Sequence, residues 1–329
     1  MSIDGQNSIA GCWGGLQGTL VAAPHSPYFC TPPRRKLLLV SKAIIGTVLP
    51  AVLLALCCVA CNRAPEQATV QTISTTNAIT ISDILFHSPA IDGILMYRIV
   101  VPATRGGERL PVLYLLHGAN SSPVEIMEWS EVAQLATTEH LAVVIPDGKY
   151  SYYTNAKHQR NARWEDAITR DLMEDVRTRF PVLTGREHTG IAGISMGGYG
   201  AAKLSLKHPD LYGFTGIMSG ALDITRRPAS LRRFGQTWRI WTIFGFRRST
   251  RLDEDVFDLL RDSKQLPQTT WFISCGGIDP LHGVVERFAR QIRQHGMEPN
   301  FVTTQGGHDW QSWNAAMPLM LRSAGNALR

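Results

Sequence analysis

Cysteine is almost missing from most of this 329-residue chain. Five of its six cysteines (Cys12, Cys30, Cys57, Cys58 and Cys61) fall within the first 61 residues, and Cys275 stands alone beyond them. A lone thiol in an apolar stretch excludes a disulfide framework and a paired-cysteine metal site; it reads as a small buried hydrophobe. A strong excess of one charge is missing as well. The net charge is +6, and half of it comes from Arg34, Arg35, Lys36 and Lys42 against Asp4 within residues 1–60. What is left beyond residue 60 is too little to argue for a nucleic-acid partner. Long apolar runs are scarce too. The longest, Ala43–Ala60, spans 18 residues and contains Pro50.

That run and its flanks look like a targeting segment. Pro33-Arg34-Arg35-Lys36 supplies a charged lead-in, and Cys58-Val59-Ala60-Cys61 places small residues before a cysteine. The pattern is that of a lipoprotein signal in which Cys61 would be acylated, with secretion or a retained anchor as competing readings. Expected localisation is therefore export, to the cell envelope or beyond it. Residues 1–61 form the N-terminal extension and signal segment. Residues 62–80, polar and without periodicity, read as a linker.

From residue 81 to 329 the pattern is that of one α/β domain. Strand-like runs at Ile81–Phe86 and Ile94–Val101 flank a turn at Ala90–Gly93 and predict a hairpin. Continuous apolar runs at Pro111–Leu116, Ala142–Pro146, Phe214–Met218 and Thr270–Cys275, with a last strand over Asn300–Thr304, predict a parallel sheet buried on both faces. Helical spacing recurs at roughly 123–138, 164–179, 196–207, 281–295 and 311–328, so strands alternate with helices. Residues 223–264 break the alternation with Arg226, Arg227, Arg232, Arg233, Trp238, Trp241, Phe244, Phe246, Arg247 and Arg248. This segment is expected to be a basic, aromatic-rich cap inserted beside the active site, whose basic face could rest on anionic lipid headgroups.

The chemistry centres on Gly193-Ile194-Ser195-Met196-Gly197, which follows a strand pattern and opens a helix pattern. Such a turn exposes a serine hydroxyl, and its tight backbone leaves no room for side chains two residues either side. A serine hydroxyl needs a base, and the base needs a carboxylate; in this layout they follow in the order Ser, Asp, His. Asp279 and His308 each lie just beyond a predicted strand and satisfy that order. His208 and His295 end helices and read as solvated. His282 lies too close to Asp279 to be the base, Asp223 comes too early to be the acid, and Asp309 points away from its neighbour. The oxyanion donors are expected to be the N–H groups of Met196 and Ala119, with Gly118 as the alternative. His117 sits in the oxyanion loop, where an imidazole bonded to backbone suits the place. His117, Trp129, Tyr152 and Trp310 are the candidate substrate contacts, with simple packing as the competing role.

The runs Leu113–Gly118, Pro146-Asp147-Gly148, Gly193–Gly200, Gly277-Ile278-Asp279 and Gly307-His308-Asp309-Trp310 together resemble the putative esterase, or esterase D-like, family of α/β-hydrolases. The likeness spans about residues 80–325. It implies an α/β-hydrolase fold, the triad Ser195, Asp279 and His308, and oxyanion donors at Ala119 and Met196. It also implies a serine carboxylesterase that acts on a small-molecule acyl ester without metal or organic cofactor. An acyltransferase of the mycolyltransferase kind would use the same triad, and S-formylglutathione hydrolases and feruloyl esterases share the family. A catalytically silent envelope binding protein is the non-enzyme alternative. Membrane association would run through lipidated Cys61 or an uncleaved N-terminal segment.

Overall fold

The computed structural model describes residues 69–75, 78–228, 234–263 and 268–329. The signal and lipoprotein segment, including Cys61, lies outside them. The described residues form a nine-stranded sheet in the order β1-β2-β3-β5-β4-β6-β7-β8-β9. Its strands are β1 (Thr69–Thr75), β2 (Ile79–Ser88), β3 (Gly93–Pro102), β4 (Val112–Leu116), β5 (Ala142–Pro146), β6 (Thr189–Ile194), β7 (Phe214–Met218), β8 (Thr270–Gly276) and β9 (Asn300–Thr304). From β5 to β9 every pairing is parallel, whereas β1, β2 and β3 join as an antiparallel wing.

Residues 62–80 are not all linker. Thr69–Thr75 pairs with β2 as an edge strand, although every one of its side chains is exposed. Its threonine, valine and isoleucine content favours extended backbone. With neither face buried, no alternation marks it in the sequence.

The central strands are buried on both faces, and alternate side chains enter different cores. In β4, Leu113 and Leu115 join one cluster with Ile126, Ala136, Met320 and Leu321, while Tyr114 and Leu116 join the other with Leu172, Tyr199 and Phe288. The first face carries α1 (Pro123–Trp129), α2 (Val132–Thr138) and α8 (Trp310–Ala327). The second carries α3 (Trp164–Arg179), α4 (Met196–Lys207), α6 (Val256–Asp262) and α7 (His282–Gln294). The single helix expected over 123–138 is two helices, parted at Ser130, whose hydroxyl donates to the Ile126 carbonyl at 2.6 Å. The helix over 164–179 contains a π-helical stretch, Ala167–Leu172.

A buried ionic network, silent in the hydrophobic pattern, ties α4 to its surroundings. Lys203 is fully buried, and its ammonium reaches the Tyr153 carbonyl at 2.7 Å, Thr154 Oγ1 at 3.0 Å, Glu165 Oε2 at 2.9 Å and Glu254 Oε2 at 3.2 Å. Lys207 bridges the same two carboxylates, and His208 Nε2 lies 3.0 Å from Glu165 Oε1. His208 is thus a network member and not a solvated helix end. Burial opposes ionisation of Glu165, but Lys203, His208 and Lys207 outweigh it and hold the carboxyl well below the usual range.

Because the folded-state pKa of Glu165 is depressed, its stabilising contribution is complete above the unfolded carboxylate pKa and fades as pH falls through the folded value. Lys203→Met removes the buried counter-ion and leaves Glu165 and Glu254 to the partly exposed Lys207 and His208, which is expected to cost about 3 kcal/mol at neutral pH. The deficit should shrink as acid protonates the two carboxylates. Urea unfolding at neutral and acid pH measures both, and a loss below about 1 kcal/mol would assign the network no more than surface-pair strength.

Candidate active site

Strand order reverses between β4 and β6, and the loops after these two strands open a crevice at the carboxyl edge of the sheet, where ligands bind in such sheets. Ser195 directly follows β6 with φ 56° and ψ −109°, a conformation that L-residues rarely hold. The glycines around it permit the turn. A Cβ on Gly193 would lie 2.3 Å from the Gly197 backbone, and one on Gly197 would lie 2.1 Å from the Leu116 carbonyl oxygen.

The structure brings Ser195, His308 and Asp279 into one chain of hydrogen bonds. Ser195 Oγ lies 2.9 Å from His308 Nε2, and His308 Nδ1 lies 2.9 Å from Asp279 Oδ2. Asp279 Oδ1 accepts from the Leu281 N–H at 2.8 Å. The Asp279 side chain is buried, which opposes its ionisation; bonds from His308, the Leu281 amide and Ser219 outweigh burial and hold the carboxyl below its ordinary range. An ionised Asp279 keeps Nδ1 protonated, which leaves Nε2 free to accept the serine proton. The His308 side chain stays 34% exposed, so solvent reaches the reacting atoms.

The rival residues are engaged elsewhere. Asp309 caps α8, accepting from the Ser312 N–H at 3.0 Å. Asp223 pairs with Arg227. His282 faces Thr303 Oγ1 at 3.4 Å, and His295 Nδ1 lies 2.9 Å from the Gln291 carbonyl. Cys275 is buried with its sulfur 3.8 Å from Ser219 Oγ, and burial, with Asp279 nearby, pushes its thiol up to about 12.

Met196 is the first residue of α4, so its N–H has no carbonyl one turn back within the helix. Ala119 lines the cleft beside Ser195. Its peptide is fixed from behind, because the Gly118 carbonyl accepts from His117 Nδ1 at 2.7 Å and from the Ser121 N–H at 3.3 Å. Across a trans peptide the N–H opposes the carbonyl, so anchoring Gly118 O directs the Ala119 N–H the other way. Gly118 therefore serves through its carbonyl.

His117 is corrected as a substrate contact. It is fully buried, and its Nε2 accepts from the Gly148 N–H at 3.0 Å while Nδ1 donates to Gly118. These two bonds assign a neutral imidazole with its proton on Nδ1. Asp147 at 3.7 Å is too distant for a hydrogen bond. The ring positions the oxyanion loop and does not reach substrate.

Tyr152 and Trp310 do face the cleft. Tyr152, at φ 52°, packs on Tyr199 and Phe244 and lines a cavity of about 320 Å³ with Tyr150, Ala221, Arg227 and Gln236. Trp310 lines a smaller lobe of about 140 Å³ with Gly118, Ala119 and Trp313. Trp129 does not line either lobe. It stacks on Trp310 at 6.4 Å between ring centroids and faces a separate groove with Glu128, Asn314 and Met317. Sequence reasoning missed Trp313, whose ring meets the His308 imidazole edge-on at 5.3 Å; its spacing of three from Trp310 on α8 was the available signal. Arg227 and Gln236 were also missed as lining residues, since only the folded insert brings them to the cleft.

A family model described as Putative esterase matches residues 88–324. The chain is 29% identical over 218 residues to an acetyl esterase of Caldicellulosiruptor saccharolyticus, covering 63% of this chain and 80% of that protein. It is 31% identical over 137 residues to the MPT51/MPB51 antigen of Mycobacterium tuberculosis, covering 38% of this chain and 45% of the antigen. Among solved structures, the S-formylglutathione hydrolase of Agrobacterium tumefaciens superposes with a TM-score of 0.70 at 18% identity, over 79% of this chain and 100% of that one. A fluorophosphonate-binding serine hydrolase of Staphylococcus aureus superposes with a TM-score of 0.66 at 23% identity, over 76% and 99%. At such identities the superpositions speak for the fold, and they share the α/β-hydrolase architecture described above. With the family match running from the end of β2 into α8, the chain belongs to the Putative esterase family and is an ester-hydrolysing enzyme.

Proposed function

We propose that the chain is an exported serine carboxylesterase that hydrolyses esters of short or single-ring acyl groups through an acyl-enzyme on Ser195. The observation that carries this reading is the Ser195–His308–Asp279 chain of 2.9 Å bonds at the sheet's switch point, beside the Met196 and Ala119 amides. His308 Nε2 takes the serine proton as Oγ attacks the ester carbonyl carbon. The oxyanion forms against the two amides, and Asp279 stabilises the imidazolium. The alcohol departs with the proton from Nε2; water, activated by the same nitrogen, then releases the acid. Exposure of His308 gives water access to Nε2 for this second half-reaction. The larger lobe, near the lower end of small-ligand pockets, and the acetyl esterase relative support a small acyl group.

Export and anchoring belong to the same proposal. The Pro33–Lys36 cations, the apolar Ala43–Ala60 run and the Cys58–Cys61 box support a lipid-modified Cys61. Labelled palmitate should enter the full chain expressed in a bacterium and be lost in Cys61→Ala. Incorporation that survives this substitution would sink the assignment.

A p-nitrophenyl ester series from acetyl to palmitoyl should show highest kcat/KM at the short end, with Ser195→Ala lowering kcat by about a million-fold. A maximum at palmitoyl would refute the small acyl site. Asp279→Asn should keep KM within a few-fold and lower kcat by about ten-thousand-fold, since the amide no longer fixes the Nδ1-protonated tautomer. A loss under tenfold would show that another group orients His308.

A further inference from the structure

Of the arginines expected to make the cap basic, Arg232 and Arg233 lie outside the described residues, and most of the others are engaged within the segment. Arg226 and Arg248 are bound to Asp255 and Asp258, Arg227 to Asp223, and Arg251 is buried on the carbonyls of Gly245 and Thr225. Among the described residues the cap also presents aromatic rings to solvent. Its helix α5 (Phe234–Phe244) is apolar on two faces. Thr237, Ile240, Ile243 and Phe244 are buried against the body, while Phe234 and Trp238 on the outer side are 57% and 48% exposed. Phe246, just past the helix, is 49% exposed. The rings form a continuous cluster: Phe234 stacks on Trp238 at 6.3 Å, and Trp238 and Trp241 meet Phe246 at 6.0 and 5.5 Å. A helix lying on a body in water buries one stripe and offers polar residues on the other side. Among the described residues this one leaves Phe234 and Trp238, a second apolar face, open to solvent.

Cations rim that face. Arg160, Arg239 and Arg247 are exposed, and among the described residues none of them pairs with a carboxylate; the Arg239 guanidinium stands over the Tyr150 ring, 5.2 Å from its centroid. The nearby Asp253 is held by Lys157 at 2.7 Å. Gln236, on the same helix, lines the catalytic cleft, so the patch begins at the mouth of the site.

We propose that the outer face of α5, with Phe246, docks on an anionic lipid surface. Phe234, Trp238 and Phe246 would enter the boundary between headgroups and acyl chains, and Arg160, Arg239 and Arg247 would rest on the phosphates. Charge decides for lipid over a second copy of the chain: a two-fold contact through this face would set its arginines against one another without an acid to receive them. Phosphate headgroups supply the missing anions, and indole and phenyl rings suit the headgroup level. Docking in this orientation brings the cleft mouth to the membrane. The proposal stands apart from the esterase reading, because hydrolysis of a soluble ester reports on Ser195 whether or not α5 meets lipid.

Hydrogen exchange of the full chain, with and without vesicles, tests it by region. Vesicles of equal parts phosphatidylcholine and phosphatidylglycerol should slow exchange in peptides spanning 234–247 by about tenfold. Pure phosphatidylcholine vesicles should slow it less. Trp238→Ser with Phe246→Ser should abolish the slowing while hydrolysis of p-nitrophenyl acetate is kept. Arg239→Gln with Arg247→Gln should remove the preference for the anionic vesicles. Unchanged exchange at 234–247, while the chain cosediments with vesicles, would assign binding to the N-terminal run alone and overturn the proposal. Slowing that grows with protein concentration in the absence of lipid would overturn it in favour of a second copy.

Discussion

The close approach of backbone to backbone beneath Ser195 is the constraint on which the site depends. The end of β4 and the first turn of α4 come so near that a Cβ at Gly197 would fall 2.1 Å from the Leu116 carbonyl oxygen and 2.9 Å from that of His117. At Gly198 a Cβ would meet the Gly220 Cα at 2.9 Å. This crowding sets the nucleophile, and with it the first turn of α4, beside the oxyanion loop. Holding Ser195 at φ 56° costs about 1–3 kcal/mol, which the surrounding packing must offset. Other left-handed residues gather at the same edge: Asn120, Lys149, Tyr152, Tyr153 and Ser219. The loops of the crevice are held in uncommon conformations, while the strands beneath them are regular.

Two polar systems share α4 and divide the work by burial. The triad sits at its N-terminus, where His308 is open to water and proton traffic is required. Further along, Lys203 is sealed from solvent and joins the Tyr152–Thr154 loop, α3 and the cap through Glu165 and Glu254. Tyr199, one turn before Lys203, donates to the Glu254 carbonyl at 2.6 Å. An apolar residue in place of Lys203 could fill the volume. It could not fix the geometry of a loop whose carbonyl and hydroxyl need a donor, nor neutralise two carboxylates. Tyr153 extends this order to the reaction centre, since its hydroxyl donates to the His117 carbonyl at 2.9 Å.

Much of this was legible in the sequence because the responsible forces are local or periodic. Continuous apolar runs identify strands buried on both faces, and glycines at fixed offsets from a serine report a steric demand. The order Ser195, Asp279, His308 reports three loops on one sheet edge. What was not legible depends on contacts between distant segments. Thr69–Thr75 buries no face and so left no alternation. His117 has the residue type of a catalytic base, and only its bonds to Gly118 and Gly148 show it to be a positioning residue. Trp129 and Trp310 look alike as sequence, yet one lines the Ser195 cleft and the other its own groove. Lys203 reads as one more solvated cation on a helix until Glu165, 38 residues away, is folded against it.

The cap shows why composition misleads most where charges are dense. Its arginines suggest a basic surface, but Asp255 is fully buried and accepts from Arg226, Arg248, Thr225 and the first-turn amides of α6, one carboxylate closing the segment on itself. Burial opposes its ionisation, yet bonds from Arg226, Thr225 and Arg248 hold it at about 2. At neutral pH this centre is charged, paired and inward-facing. The arginines thus act as internal fasteners that let an insert without a large core of its own keep a defined shape. Once they are removed from the count, the described outer surface of α5 and its flank is marked by aromatic rings, with Arg160, Arg239 and Arg247 exposed and not bound to a carboxylate among the described residues. The feature that distinguishes this cap physically is an apolar face set at the lip of a polar site.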